Sequence, residues 1–290
     1  MADTTITTTV LRALDGATSE ARIARAAGDP GSRAVVLVAP AMGVAAAYYD
    51  PVLEALAAAG HDALTLEHRG QGSSSVRVRR GVDFGYADLV RDDWPPAVAL
   101  ARSIAGERGG GRRVVVLGHS LGGQLAVLYA AEHPGALDRI ALVASCVVDH
   151  RGWSGLAAQR MRVQTRLAVA VARALGVFPG DRVGFGGRQP VRLIADWARQ
   201  CRTGNFVLTG ARLDYEAALR EVEIDLLSLT IDGDDLSPRA ACDRLVAKLP
   251  RSRVVRRSVA PTWPVKKPAD AHLRWARDPG VVVREIVAFA

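Results

Sequence analysis

Apolar positions along the chain follow two alternating rhythms. Threonine alternates with apolar residues from Thr5 to Leu14; a turn "DGAT" and a second such run, "EARIARAA", follow. Period-two patterning on both sides of a turn predicts an antiparallel hairpin at a sheet edge. From residue 33 to 40, "RAVVLVAP" is continuously apolar, as expected of a strand buried on both faces. "YYDPVLEALAAAG" then shows helical spacing and stops at Gly60. "HDALTLEHRG" reads as the next strand, closed by the turn "RGQGSS". The stretch from Asp83 to the glycine run at 109–111 reads as helical, interrupted or restarted at Pro95 and Pro96.

Residues 114–117 form the next strand and 121–133 the next helix, and "RIALVAS" is a further strand. The alternation then breaks. From Cys146 to about Glu223 the chain is rich in Arg, Ala, Gly and Trp, with helical pieces such as "LAAQRMRVQTRLAVAVARALG". It returns with the strand "IDLLSLTIDGDD", the helix "PRAACDRLVAKLP", the strand "SRVVRRSV" and a final helix "DPGVVVREIVAFA". Strands alternating with helices predict an α/β fold: a mostly parallel sheet with helices on both faces. The irregular middle predicts an inserted helical cap. The core would span residues 1–146 and 224–290 and the cap residues 147–223, lying over the C-terminal edge of the sheet, where such folds bind ligands.

One strand-to-helix junction carries chemistry. Gly118-His119-Ser120-Leu121-Gly122 matches G-x-S-x-G between a predicted strand and a predicted helix. A serine on so sharp a bend projects its hydroxyl out of the turn. The helix must pass close to the strand, so the positions two before and two after the serine cannot carry bulk. Gly118 and Gly122 satisfy that need, and Gly123 relaxes it further. A phosphate loop would need a GK[ST] ending that is absent, and the dinucleotide glycine spacing does not fit.

A serine hydroxyl needs a base, and the base an orienting acid. Of six histidines, His61 opens a strand and His133 closes a helix, both structural positions. His68 ends a strand and could line a site, but it precedes the serine, whereas nucleophile, acid, histidine is the chain order of elbow enzymes. His119 adjoins the serine, around a bend that turns neighbours apart. His150 lies at the cap entrance. His272, after the last strand, is the predicted base. The acid belongs after the strand that follows the cap, where "SLTIDGDDLSP" offers Asp232, Asp234 and Asp235; Asp232 is nearest the strand end, and Asp149 is a more distant alternative. Asp234 and Asp235 are not separated by this reasoning. Two backbone amides would form an oxyanion hole: Leu121, next to the serine, and Met42 in "APAMGV".

The 290 residues carry a net charge of +8, mostly through arginine. The arginines are scattered and often sit near acids, and the densest patch, "RSRVVRRSV", has no interleaved aromatics, so nucleic acid is not an expected partner. The basic surface would suit an acidic acyl-carrier partner. Three widely spaced cysteines, Cys146, Cys201 and Cys242, form no CxxC pair and read as buried thiols, not as a metal or redox site. No apolar run is long enough for a membrane span, and the N-terminus lacks the features of a signal peptide, so a cytoplasmic protein is expected.

With "GHSLGG", "HRGQGSS" and "RWARDP" in matching order, nearly the whole chain resembles the α/β-hydrolase superfamily, close to a bacterial group of esterase-like serine hydrolases. An acid four residues before a proline is common there, and Pro238 lies four beyond Asp234, so the resemblance implies a triad of Ser120, Asp234 and His272, with Asp235 as the alternative acid and Met42 and Leu121 as oxyanion donors. Three features depart from the superfamily: Pro40-Ala41 replaces His-Gly, Ala271 replaces a glycine before the histidine, and the loop "APTWPVKKPAD" before His272 is long. The expected activity is cleavage of a small-molecule carboxylic ester or thioester through an acyl-enzyme on Ser120, without metal or cofactor. An acyltransferase or cyclase using the same residues, or a non-catalytic ligand-binding relative, are the rival readings.

Overall fold

A computed structural model describes residues 5–28, 33–107 and 111–290. Among the described residues ten strands occur in chain order: β1 Ile6–Arg12, β2 Thr18–Ala24, β3 Val35–Ala39, β4 Ala63–Thr65, β5 Val114–His119, β6 Arg139–Val143, β7 Phe178–Pro179, β8 Arg188–Gln189, β9 Asp225–Ile231 and β10 Arg253–Val259. Eight form one sheet in the order β1-β2-β4-β3-β5-β6-β9-β10, while β7 and β8 pair with each other. β1–β2 and β2–β4 are antiparallel. Every other pair in the large sheet is parallel. The edge hairpin and the parallel centre are those the apolar rhythm predicts.

Side-chain alternation divides the core. Val35, Leu37 and Ala39 face one hydrophobic layer with Trp94, Leu125 and Leu128; Val36 and Val38 face the other with Tyr49, Leu53, Trp275 and Ile286. Helices cover both layers, so β3 and β5 are buried along their whole length. The helix Leu121–Glu132 is buried at every position but its last, which explains why its sequence shows no polar face. Pro95 and Pro96 do not interrupt a helix. They occupy the first turn of Trp94–Gly106, where a missing N–H has no cost, after a π-helical turn Leu89–Asp93.

The basic run near the C-terminus lies on β10, an exposed edge strand. Its charges are paired outward: Arg256 Nε with Asp243 at 3.0 Å, and Arg257 with Glu285. Charged side chains on a sheet edge discourage pairing with a second chain. Among the described residues no helix is long and apolar enough to cross a membrane.

The order reverses at β3, with β4 on one side and β5 on the other. A crevice opens at such a switch point beyond the C-terminal strand ends. Between β6 and β9 the chain leaves the sheet as a 3₁₀ turn His150–Gly152, the helix Gly155–Leu175, the β7–β8 pair, and the helices Val191–Thr203 and Tyr215–Glu221.

A buried ion pair pins the opposite end of the sheet. Arg112 Nη1 lies 2.8 Å from Asp62 Oδ2, with side-chain exposures of 1% and 0%. Burial alone would raise the Asp62 pKa, but the Arg112 hydrogen bond and the Ala26 amide bring it below the ordinary carboxylate value. Arg25, half-exposed, also reaches Asp62 at 3.3 Å, so Asp62 keeps a weaker partner when Arg112 is lost. Arg112→Met is expected to lower the unfolding free energy by about 1–3 kcal/mol, read from denaturant titration. Because the folded pKa is depressed, the Asp62 contribution is present above about pH 4 and fades as pH falls through the lowered value.

Candidate active site

β5 ends at His119, and the helix begins at Leu121. Between them Ser120 adopts φ 52° and ψ −115°, a region rarely occupied by residues with a side chain. The bend is held by its backbone: Ser120 N–H donates to Val143 O at 3.1 Å, and its carbonyl accepts from Ser145 Oγ at 2.7 Å and Gly123 N at 3.1 Å. The glycines are sterically required. A Cβ on Gly118 would lie 2.4 Å from Gly123 Cα, and one on Gly122 would lie 2.1 Å from Ala39 O. Helix, β5 and β3 touch backbone to backbone at this point.

Asp234 follows β9 on a turn in which Gly233 has φ +79°. Its Oδ1 accepts from the amides of Leu236 and Ser237 at 2.9 and 3.1 Å, which aims Oδ2 inward. That oxygen lies 2.8 Å from His272 Nδ1, and both residues are buried, Asp234 at 4% and His272 at 6% exposure. His272 sits on a short helix, Pro268–Arg274, between β10 and the last helix. The other acids point elsewhere. Asp235 is exposed and offers its main-chain carbonyl to Trp153 Nε1. Asp232 accepts from Ser258 Oγ, and Asp149 binds Arg151 and Arg244. The structure thus joins Asp234 to His272. Among the described residues Ser120 Oγ makes no hydrogen bond to His272; such contacts are often long without substrate and tighten when it binds.

His119 has a role that sequence reasoning missed. It is fully buried, with Nδ1 2.6 Å from Tyr49 Oη and Nε2 3.0 Å from His272 O. Tyr49 Oη in turn accepts from Ala41 N at 3.0 Å. With the proton on Nε2 the donor order runs from Ala41 N–H to Tyr49, from Tyr49 O–H to His119 Nδ1, and from His119 Nε2–H to the His272 carbonyl, the closer partner; Trp275 Nε1–H, 3.3 Å from the same Nε2, then finds no acceptor there. Burial holds the His119 pKa well below the ordinary imidazole value, as a neutral ring in that order requires. Two residues thereby tie the Met42 loop, the serine bend and the His272 helix together. Only the three-dimensional pairing reveals this, since Tyr49 lies 70 positions from His119.

"EHRGQGSS" grips the same loop from the other side. Glu67 accepts from the amides of Ala46 at 3.1 Å and Ser73 at 3.2 Å, and burial raises its pKa to about 7. His68 Nε2 donates to Pro40 O at 3.1 Å, and Arg69 forks onto Asp93. The amides of Met42 and Leu121 have no acceptor among the described residues. Both residues line a small cleft with room for about one water molecule, with Gly43, His68, Arg69, Gln71, Leu89, Gln189 and Leu193 completing its wall. Gly186 and Gly187, at φ +68° and +64°, close over it; a Cβ on Gly43 would lie 2.2 Å from the Gly186 carbonyl carbon.

The remaining histidines, and several other polar and aromatic residues, fall outside this centre. His61 Nδ1 faces Ala34 O, the His133 ring packs on Tyr129, and His150 Nδ1 faces Cys201 O. Trp263 lies in the core beneath the His272 segment, its Nε1 donating to Asp270 O. Arg188 pairs with Asp181 and Arg192 with Asp88, while Arg160 is exposed. The three cysteines are buried free thiols, and burial pushes Cys146 up to about 12.

The chain is similar to several known proteins. A family model described as serine aminopeptidase, S33, matches residues 30–202. The candidate carbamate hydrolase RutD of Caulobacter segnis is 27% identical over 237 residues, 76% of this chain and 81% of that protein. Lysophospholipase L2 of Escherichia coli K12 is 34% identical over 85 residues, 29% of this chain and 24% of that one. A hydrolase of Pseudomonas aeruginosa PA01 has a solved structure that superposes with a TM-score of 0.56 at 19% identity, covering 97% of each chain.

The close approach at the bend yields a stability test. Gly122→Ala is expected to lower stability by roughly 1–3 kcal/mol, because its Cβ meets main chain that cannot yield freely. Gly106→Ala, at a helix position with nothing within 4 Å of the added carbon, is expected to be neutral or mildly stabilising. Thermal unfolding of both variants checks the contrast.

Proposed function

This chain belongs to the serine aminopeptidase S33 family and is a hydrolase of the α/β-hydrolase fold, and we propose that it cleaves a carboxylic ester or thioester through an acyl-enzyme on Ser120. The observation that carries this reading is the buried 2.8 Å contact between Asp234 Oδ2 and His272 Nδ1, together with a serine held at positive φ on the bend after β5.

In the proposed reaction Ser120 Oγ attacks the carbonyl carbon while His272 Nε2 takes its proton. Nδ1 keeps its own proton, pointed at Asp234, so Nε2 is the free base. Asp234 holds that tautomer and stabilises the imidazolium that forms. The carbonyl oxygen gains negative charge as the tetrahedral intermediate develops, and the amides of Met42 and Leu121 receive it, each worth roughly 3 kcal/mol. The positive end of the helix Leu121–Glu132 adds to that field. His272 then returns the proton to the leaving alcohol or thiol, and the C–O or C–S bond breaks. Water, deprotonated by the same imidazole, attacks the acyl-serine, releases the acid and restores the hydroxyl.

Residues 147–223 are assigned in this reading to a cap that excludes bulk water and sets which acyl group fits. The relatives named carbamate hydrolase and lysophospholipase, both hydrolases, support acyl-type chemistry without choosing its substrate.

Ser120→Ala is expected to lose on the order of 10⁶ in kcat and all labelling by a fluorophosphonate probe. Asp234→Asn, with the wrong tautomer favoured, should lose about 10⁴ while retaining the fold; Asp235→Asn should change little. A screen of 4-nitrophenyl esters by chain length provides the readout, and full activity of the Ser120 variant would reject the assignment. Tyr49→Phe removes the link between the Met42 loop and His119. It is expected to lower kcat by about 10–10² with a smaller change in KM, since misplacement by an ångström costs that much.

A further inference from the structure

His68 is the feature of this site that the proposed reaction does not use. Its side chain is buried, at 3% exposure, in the wall of the cavity that Met42 and Leu121 also line. Nε2 lies 3.1 Å from the carbonyl oxygen of Pro40. A carbonyl can only accept, so the proton of the neutral ring sits on Nε2 and Nδ1 is left as a bare acceptor. Among the described residues that buried nitrogen has no partner. Burial drives the imidazole pKa down to about 4, so the ring remains neutral across the working range and cannot become a donor on Nδ1.

The rest of the wall sharpens the reading. Leu89, Leu193 and the Met42 and Leu121 side chains are apolar, while the Arg69 guanidinium is turned onto Asp93. The polar groups at this end without a hydrogen bond inside the protein are the Met42 and Leu121 amides, the Gln71 side chain, Gln189 Oε1 and His68 Nδ1; of these side-chain atoms, His68 Nδ1 is the fully buried one. A carbonyl oxygen matches the amides. An O–H or N–H close to that carbonyl matches the nitrogen. A plain acyl chain would leave His68 Nδ1 buried and unpaired, at the full desolvation cost of that group. The oxyanion loop fixes the acceptor in place, because the bond from Nε2 to Pro40 lies two residues from Met42.

We propose that His68 Nδ1 is a specificity group that selects acyl substrates bearing a hydrogen-bond donor, O–H or N–H, beside the scissile carbonyl. This rests on the serine-hydrolase reading above and narrows its substrate class to 2-hydroxyacyl esters or N–H carbamates. Discrimination of this kind is strong, because a site built around a donor penalises the analogue that lacks it.

The test compares kcat/KM within two pairs of substrates that differ only in the donor: 4-nitrophenyl 2-hydroxybutyrate against its 2-methoxy analogue, and 4-nitrophenyl N-methylcarbamate against the N,N-dimethyl compound. Rates are divided by those of uncatalysed hydrolysis to remove intrinsic reactivity. The wild-type protein is expected to favour the donor member of at least one pair by about tenfold or more, and the preferred pair identifies the donor as O–H or N–H. His68→Phe, which keeps a ring but no acceptor, and His68→Leu should bring that ratio close to one. A wild-type ratio near one in both pairs overturns the proposal, as does a preference that survives in either variant. The wild-type ratios decide the matter even where a variant fails to fold. Fluorophosphonate labelling of wild-type Ser120 is run in parallel: labelling without a donor preference sinks this inference alone, whereas absent labelling sinks the serine-hydrolase reading beneath it.

Discussion

The rest of the site depends on how closely three backbones meet beneath Ser120. The helix Leu121–Glu132 crosses the ends of β3 and β5 so tightly that any side chain at Gly118 or Gly122 would overlap main-chain atoms. That closeness forces the serine into positive φ and brings the first turn of the helix to the switch point of the sheet. Strain of this kind persists only where the surroundings overdetermine it. Here they do: the helix is buried on nearly all sides, and the Ser120 amide is tied to the last residue of β6 and its carbonyl to Ser145 just beyond.

A strained bend alone would give a hydroxyl without partners. What converts it into a site is that the pieces around it are fastened to one another rather than separately to the scaffold. Tyr49 and His119 span the Met42 loop and the His272 carbonyl, and the Trp275 ring stands edge-on to His119 with centroids 5.0 Å apart. Glu67 and His68 hold the same loop from the next strand. Amides that receive developing charge act well only if they do not reorganise during the reaction. A loop fixed from both sides meets that condition. The replacement of His-Gly by Pro40-Ala41 is accommodated because Pro40 needs only its carbonyl, and Ala41 only its amide, for these bonds.

The sheet, the edge hairpin and the serine bend were legible in the sequence because each rests on local rules: period-two burial, turn chemistry and glycine at forced positions. The charge balance was legible only as scatter, and β10 explains the densest part of it as a paired edge. Two kinds of information were missing. Asp234 and Asp235 are adjacent, polar and follow the same strand, so residue type cannot separate them; the separation comes from a turn in which Leu236 and Ser237 orient one side chain. His119 read as a residue turned away from the serine, which is geometrically apt, but its partners at Tyr49 and His272 lie 70 and 153 positions away. No local pattern encodes such a network.

The excursion between β6 and β9 sets the size of what can enter. Gly186 and Gly187 meet Met42 and Gly43 almost atom on atom, with positive φ at Gly43, Gly186 and Gly187. Glycine at all three positions lets two loops close against each other and leaves room for only about one water molecule behind them. The cover is fastened by Phe185 packing on Trp197, with ring centroids 5.4 Å apart, and by the Gln189 amide donating to Gly186 O. Those contacts are few compared with the bonds that hold the oxyanion loop. In the proposed reaction a larger acyl group would enter only by displacing the glycine loop, while the amides and the His68 acceptor would stay where the core has fixed them. Selectivity for polar groups near the carbonyl then belongs to the rigid core, and tolerance of chain length to the cover. A donor beside the carbonyl is read the same way whatever the length of the chain beyond it.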